Sequence, residues 1–96
     1  MSGRRWVWTR EPILFHDNAN KEWVTIPVWT KGYLVKPNEE ERKSIARYQE
    51  IDKVRVFLVH LAGLNRYIGI NRLMMEDEWN ERRDRLRQDG ILSKDG

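Results

Sequence analysis

Tryptophan and positive charge keep close company in this chain. The phrase Val-Trp-Thr followed by a base occurs twice, as Val7-Trp8-Thr9-Arg10 and as Val28-Trp29-Thr30-Lys31. Five tryptophans in 96 residues is well above ordinary usage. Indoles flanked by Lys and Arg suit a single-stranded nucleic acid: each base stacked on a ring is worth about 1–3 kcal/mol, and the cations track phosphates. The same composition suits a protein-binding hot spot, where Trp, Tyr and Arg dominate.

Catalytic chemistry finds little support. His16 and His60 are the only histidines. His16 precedes Asp17, but neighbours on a strand point to opposite faces, and no third group marks a dyad. It reads as an exposed turn histidine. His60, inside VFLVHLAGL, reads as a hydrogen-bonded core histidine. Phosphate-binding glycine loops, HExxH, EF-hand loops and G-x-S-x-G elbows are all missing. The acidic runs Glu39-Glu40-Glu41 and Glu76-Asp77-Glu78 stand where helices begin, and there the helix dipole favours acids without any metal. The expectation is a non-enzymatic protein with no metal and no cofactor.

The absence of cysteine excludes disulfides and thiolate ligands and points to the cytoplasm. The N-terminal MSGRRWVW carries no apolar core of a signal peptide. The run at 56–64 is too short to span a bilayer, so no membrane partner is expected. Hydrophobic residues at 40%, charged residues at 34% and a mean hydropathy of −0.80 describe a soluble globular chain. Its length suits one domain over 1–96, with loose ends at about 1–3 and 93–96. No pattern specifies an oligomeric state.

Charge is unevenly placed. Residues 1–37 hold six bases against three acids, and residues 53–75 hold four bases and no acid. Residues 38–52 and 76–96 are both net acidic. The surplus base therefore lies on segments that read as extended, outside the helices.

Alternation identifies those extended segments. In 4–10 one face carries Arg4, Trp6, Trp8 and Arg10, the other Val7 and Thr9. In 21–31 one face carries Lys21, Trp23, Thr25, Pro27, Trp29 and Lys31, the other Val24, Ile26 and Val28. Pro27 removes a ladder donor, so this strand belongs at an edge or carries a bulge. Asp17-Asn18-Ala19-Asn20 is turn chemistry, and Thr30-Lys31-Gly32 suits a hairpin loop leading into Tyr33-Leu34-Val35-Lys36. A helix follows over about 39–50, with Asn38 as its cap and Ile45, Tyr48 and Ile51 on one side. Val54 to Leu61 is read as a strand by its β-branched content, although Ile51, Val54, Leu58 and Leu61 would also line a continued helix. It opens a second hairpin over about 53–70. A last helix spans about 72–89, capped by Asn71, with Met75, Trp79 and Leu86 in a stripe completed by Arg82 or Arg83. Gly90 and Ile91 suit a Schellman ending.

The fold class is thus a small α+β domain: an N-terminal antiparallel sheet with Trp-rich strands, a middle helix, a second hairpin and a C-terminal helix. Its expected binding residues are Arg4, Arg5, Trp6, Trp8, Arg10, Lys21, Trp23, Trp29 and Lys31. Single-stranded or distorted nucleic acid is the favoured partner. A larger protein, which this chain would inhibit, adapt or assemble with, is the alternative. The segment WNERRDRLRQDGIL loosely resembles a winged-helix recognition element, making Arg82 and Arg83 secondary candidates for duplex DNA. Glu81, Asp84 and Asp89 between those arginines also permit simple pairing along the helix. A third possibility is that the two helices cover the tryptophan face and make it core.

Overall fold

Period-two patterning builds most of the molecule. In the computed structural model, which describes residues 3–91, the chain runs β1 (Trp6–Thr9), β2 (Ile13–Asp17), β3 (Glu22–Ile26), β4 (Lys31–Leu34), α1 (Glu39–Asp52), β5 (Val56–Leu61), β6 (Leu64–Gly69), β7 (Leu73–Met75) and α2 (Glu76–Gln88). A 3-10 turn at Ile70–Arg72 joins β6 to β7. Five strands form a curled antiparallel sheet in the order β6-β5-β4-β1-β7, while β2 and β3 pair separately as a hairpin. The architecture is α+β, as the alternating and helical patterns imply.

Strand register divides the large sheet into two faces. Val7, Thr9, Leu34, Val59, Leu61, Ile68 and Leu73 share one face. The β2–β3 hairpin lies over it, and Ile13 and Ile26 join Val7, Val59, Leu61, Ile68 and Leu73 in one buried cluster. Trp6, Trp8, Lys31, Tyr33, Leu58, His60, Tyr67 and Met74 share the opposite face. There α2 packs against β1 and β7, and α1 packs against β5 and β6. Each helix thus covers one flank of this face, and β4 lies between them. Gly32 in β4 is required by space, because a Cβ there would sit 2.6 Å from the His60 carbonyl oxygen.

Local signals account for several boundaries. Asn38 caps α1 reciprocally with Glu41: its side chain accepts the Glu41 N–H at 2.8 Å, and Glu41 Oε1 accepts the Asn38 N–H at 2.9 Å. α1 runs two residues beyond the expected 39–50 and ends at Lys53 in the left-handed region. The run from Val54 resolves as strand β5, and the hairpin turns at Ala62-Gly63, both with positive φ, as a two-residue loop. At the end of α2 the Ile91 N–H reaches the Leu86 carbonyl and the Gly90 N–H reaches that of Arg87, which is the Schellman pairing. The Asp17 turn forms as read: Asp17 Oδ1 accepts the Ala19 N–H at 3.0 Å. The expected loose ends fall, except for Gly3, outside the described residues, as does Leu92.

Other expectations are corrected. The strand proposed over 21–31 stops at Ile26. Pro27 cannot donate to a ladder, and its carbonyl accepts the Thr9 hydroxyl at 2.8 Å and the Thr30 hydroxyl at 2.6 Å. Trp29 then takes a left-handed φ of 68°. The chain uses residues 27–30 to leave the hairpin and enter the large sheet, so Thr30-Lys31-Gly32 is no hairpin loop and Lys31-Gly32 begin β4. Asn71 does not cap the last helix. The chain stays extended through Leu73–Met75 to pair with β1, and α2 starts at Glu76 with Met75 at the cap position. Leu73 and Met74 are fully enclosed there, so pairing and burial outweighed the local cap signal. Along the expected stripe of α1, Tyr48 and Ile51 remain exposed.

Candidate functional site

The tryptophans separate into three environments. Trp8 stacks on Trp79 of α2, with ring centroids 5.2 Å apart and planes within 13°. Both are only 8% exposed, and Met74 completes the cluster. Trp29 packs half-buried against the same cluster, carried there by its loop rather than by a strand. The repeated phrase therefore does bring Trp8 and Trp29 together, Trp8 as core and Trp29 as its half-buried flank. Trp23 lies on the outer side of the β2–β3 hairpin, 66% exposed, against the His16 ring at 5.1 Å. Parity with Trp29 is lost at Pro27, so Trp23, Trp29 and Lys31 do not share a strand face.

Trp6 borders the Trp8 cluster and also opens a third environment. It stands opposite Tyr33, Tyr33 opposite His60, and His60 opposite Asn65. One cross-strand row thus runs over β1, β4, β5 and β6 between the two helices. Trp6 meets Tyr33 edge-on at 5.8 Å, and Tyr33 stacks on His60 at 4.9 Å. His60 Nδ1 hydrogen-bonds with the Asn65 amide oxygen at 2.9 Å. Two cations lie over the rings: Lys31 Nζ is 4.1 Å from the Trp6 centroid, and the Arg4 guanidinium is 4.3 Å from that of Tyr33. The rings are half-buried, whereas Arg4, Lys31 and Asn65 are exposed. Side chains directly opposite on one sheet face stand close enough for such contacts.

The row leads to a cleft. A cavity of about 660 Å³ opens where β1 and β5 begin and β4 ends, beside α1. Arg4, Arg5, Lys36, Arg42 and Arg55 line it, and among the described residues no carboxylate does. Its apolar wall comes from Leu34, Ile45, Val56 and Leu58. Gln49 accepts the Val56 N–H at 3.0 Å and ties α1 to that edge of the sheet.

The remaining candidates lie elsewhere. Arg10 grips both carboxylate oxygens of Glu78 and reaches the Leu73 carbonyl at 3.2 Å, so it fastens α2 to the sheet. Lys21 sits exposed in the hairpin turn with a φ of 55°. On α2, Arg82 is exposed, and Arg83 is half-buried with its Nε 3.7 Å from Asp84. Of the expected set, the structure brings Arg4, Arg5, Trp6 and Lys31 together. Sequence reading missed Tyr33, His60, Lys36, Arg42 and Arg55. A signal for Tyr33 was present, since parity places it beside Lys31; His60 alternates with Leu58 in the same way. His60 is hydrogen-bonded as expected, yet it is half-buried on the row and not enclosed in the core.

Among the described residues no group of three His, Cys, Asp or Glu side chains is placed to hold a metal, and no helix is long and apolar enough to cross a membrane. No family model, curated protein or solved structure matches this chain.

Proposed function

We propose that this protein is a non-enzymatic, nucleic-acid-binding accessory protein that takes single-stranded or distorted strands on the row Trp6–Tyr33–His60. The observation that carries this reading is the joining of that aromatic row, with Arg4 and Lys31 over its rings, to a cleft that, among the described residues, holds five bases and no acid. Bases stack on the rings, and the cations meet the phosphates. Lys31 and Arg4, now resting on indole and phenol faces, are held close to where a phosphate would lie beside a stacked base.

The test is a titration of a labelled single strand of about 15 nucleotides, the upper range for one small platform, at several salt concentrations. Binding should weaken with a slope of log K against log salt of about −2 to −4, corresponding to some three to six neutralised phosphates. Replacing Tyr33 and Trp6 together with alanine should cost about 1–3 kcal/mol per lost stack. Absence of any anisotropy change at low salt rejects the reading.

The alternative, a module that inhibits, adapts or assembles with a larger protein, draws on a different surface. Leu14 and Trp23 project from the outer face of the hairpin, on the far side of the sheet from the row. A stoichiometric complex that survives nuclease and depends on Trp23 supports this second reading.

A further inference from the structure

We propose that the cleft receives the terminal phosphate of a strand, so that the protein selects phosphorylated ends over strand interiors; this rests on the nucleic-acid reading above. Arg4 and Arg5 precede β1, Lys36 follows β4, Arg42 lies on α1 and Arg55 precedes β5. Chain segments far apart in sequence thus aim five cations at one cavity. Among the described residues none of the five is in an ion pair. Among the described residues no carboxylate lines the cleft to offset the mutual repulsion of the five within it. Glu41, in the first turn of α1 and adjacent to Arg42 in sequence, is engaged with the Asn38 N–H. Glu76 and Asp77 border a separate cavity of about 260 Å³ on the other side of Arg4 and Arg5, and do not enter the cleft.

Two of the guanidiniums are held by rings and not by carboxylates. Arg4 lies 4.3 Å from the Tyr33 centroid and Arg55 lies 5.2 Å from that of Phe57. Stacking fixes the plane of a guanidinium while leaving its N–H edge free for bidentate contact with phosphate oxygens. A terminal phosphomonoester carries about −1.5 to −2 charges at neutral pH and three acceptor oxygens, more than an internal diester offers. The apolar wall of Leu34, Ile45, Val56 and Leu58 suits the attached nucleoside better than a free inorganic ion. Arg4 belongs to both surfaces, so a strand stacked on Trp6 and Tyr33 reaches the cleft at one of its ends.

The experiment compares one single-stranded sequence in four forms: 5′-phosphorylated, 3′-phosphorylated, hydroxyl at both ends, and circular. Expected is about tenfold tighter binding of one phosphorylated form than of the hydroxyl and circular forms, the scale of one or two charge-assisted hydrogen bonds. That preference should fall as pH drops below about 6, where the second phosphate proton returns. The double variant Arg42→Gln/Arg55→Gln should abolish the preference, so that its phosphorylated and hydroxyl forms bind equally whatever their common affinity. Trp6→Ala should weaken all four forms alike and preserve it. Measurable but equal binding of all four forms overturns the end-selection inference and leaves the nucleic-acid reading standing. Failure of every form to bind overturns both.

Discussion

Trp6 and Trp8 stand two residues apart on the same face of the same strand, yet one is half-buried and the other sealed. Trp8 meets Trp79 of α2 in a near-parallel stack, so its indole is removed from water on both sides. Trp6 only edges against their cluster and stays half-buried, meeting Tyr33 edge-on and carrying Lys31 over its ring. What separates core from surface here is the placement of one helix, not residue type or strand parity. α2 is held in that place by Trp79, by Met74 at its base, and by the grip of Arg10 on Glu78.

The largest expected effect tests the sealed side. Trp8→Ala or Trp79→Ala should lower unfolding stability by about 3–5 kcal/mol, the usual cost of emptying a buried aromatic site. Trp6→Ala should cost clearly less, and Trp23→Ala should fall within about 0.5 kcal/mol of wild type, as exposed substitutions do. Urea denaturation midpoints measure all four. Equal losses for Trp6→Ala and Trp8→Ala would erase the distinction between the two environments.

An intermediate effect is expected at Thr9, which anchors the loop bringing Trp29 to the sealed cluster. Its hydroxyl donates to the Pro27 carbonyl and accepts the Thr30 N–H at 2.9 Å, in a residue with no exposed surface. Thr9→Val keeps the shape and orphans both partners, so a loss of about 1–3 kcal/mol should follow. Binding of a single strand by the folded variant should stay close to wild type, because the open row does not touch Thr9. A large loss of binding at full stability would show that the two environments are coupled.

The smallest effect lies farthest from both. Hydrogen bonds from the Asn20 and Ala19 backbone N–H groups hold the Asp17 carboxyl below its ordinary pKa of 3.8. A depressed carboxyl stabilises the hairpin turn above that ordinary value and loses the contribution as pH falls through its folded one. Amide exchange at Ala19 and Asn20 should therefore quicken, relative to the intrinsic rate, only below about pH 3.8, and Asp17→Asn should remove that pH dependence. The Trp6 and Trp8 environments should be unaffected.

Much of this was legible in the chain itself. Local chemistry alone placed the Asn38 cap, the Asp17 turn and the Gly90 helix ending, because each depends on neighbours within a few residues. The strand read from Val54 to Leu61 competed with a continued helix until its pairing with β4 and β6 decided it. Base surplus on the extended segments also carried through: Arg4, Arg5, Lys36 and Arg55 all come from them. Parity was right for Trp6 and Trp8 in β1 and failed across Pro27, where the Thr9 hydroxyl and a left-handed Trp29 redirect the chain. Asn71 misled because its cap signal is local, whereas the burial of Leu73 and Met74 beside β1 is not.

Sequence by itself determined the alternation along β1, where α1 begins and where α2 ends, and which segments carry surplus positive charge. Only the tertiary structure decided that α2 closes over Trp8, that Trp6, Tyr33 and His60 stand side by side, and that five cations from separate elements meet in one cleft. The physical reason is that alternation fixes the side of a strand on which a residue stands, while sheet order and helix docking, set by long-range burial, decide what lies opposite it.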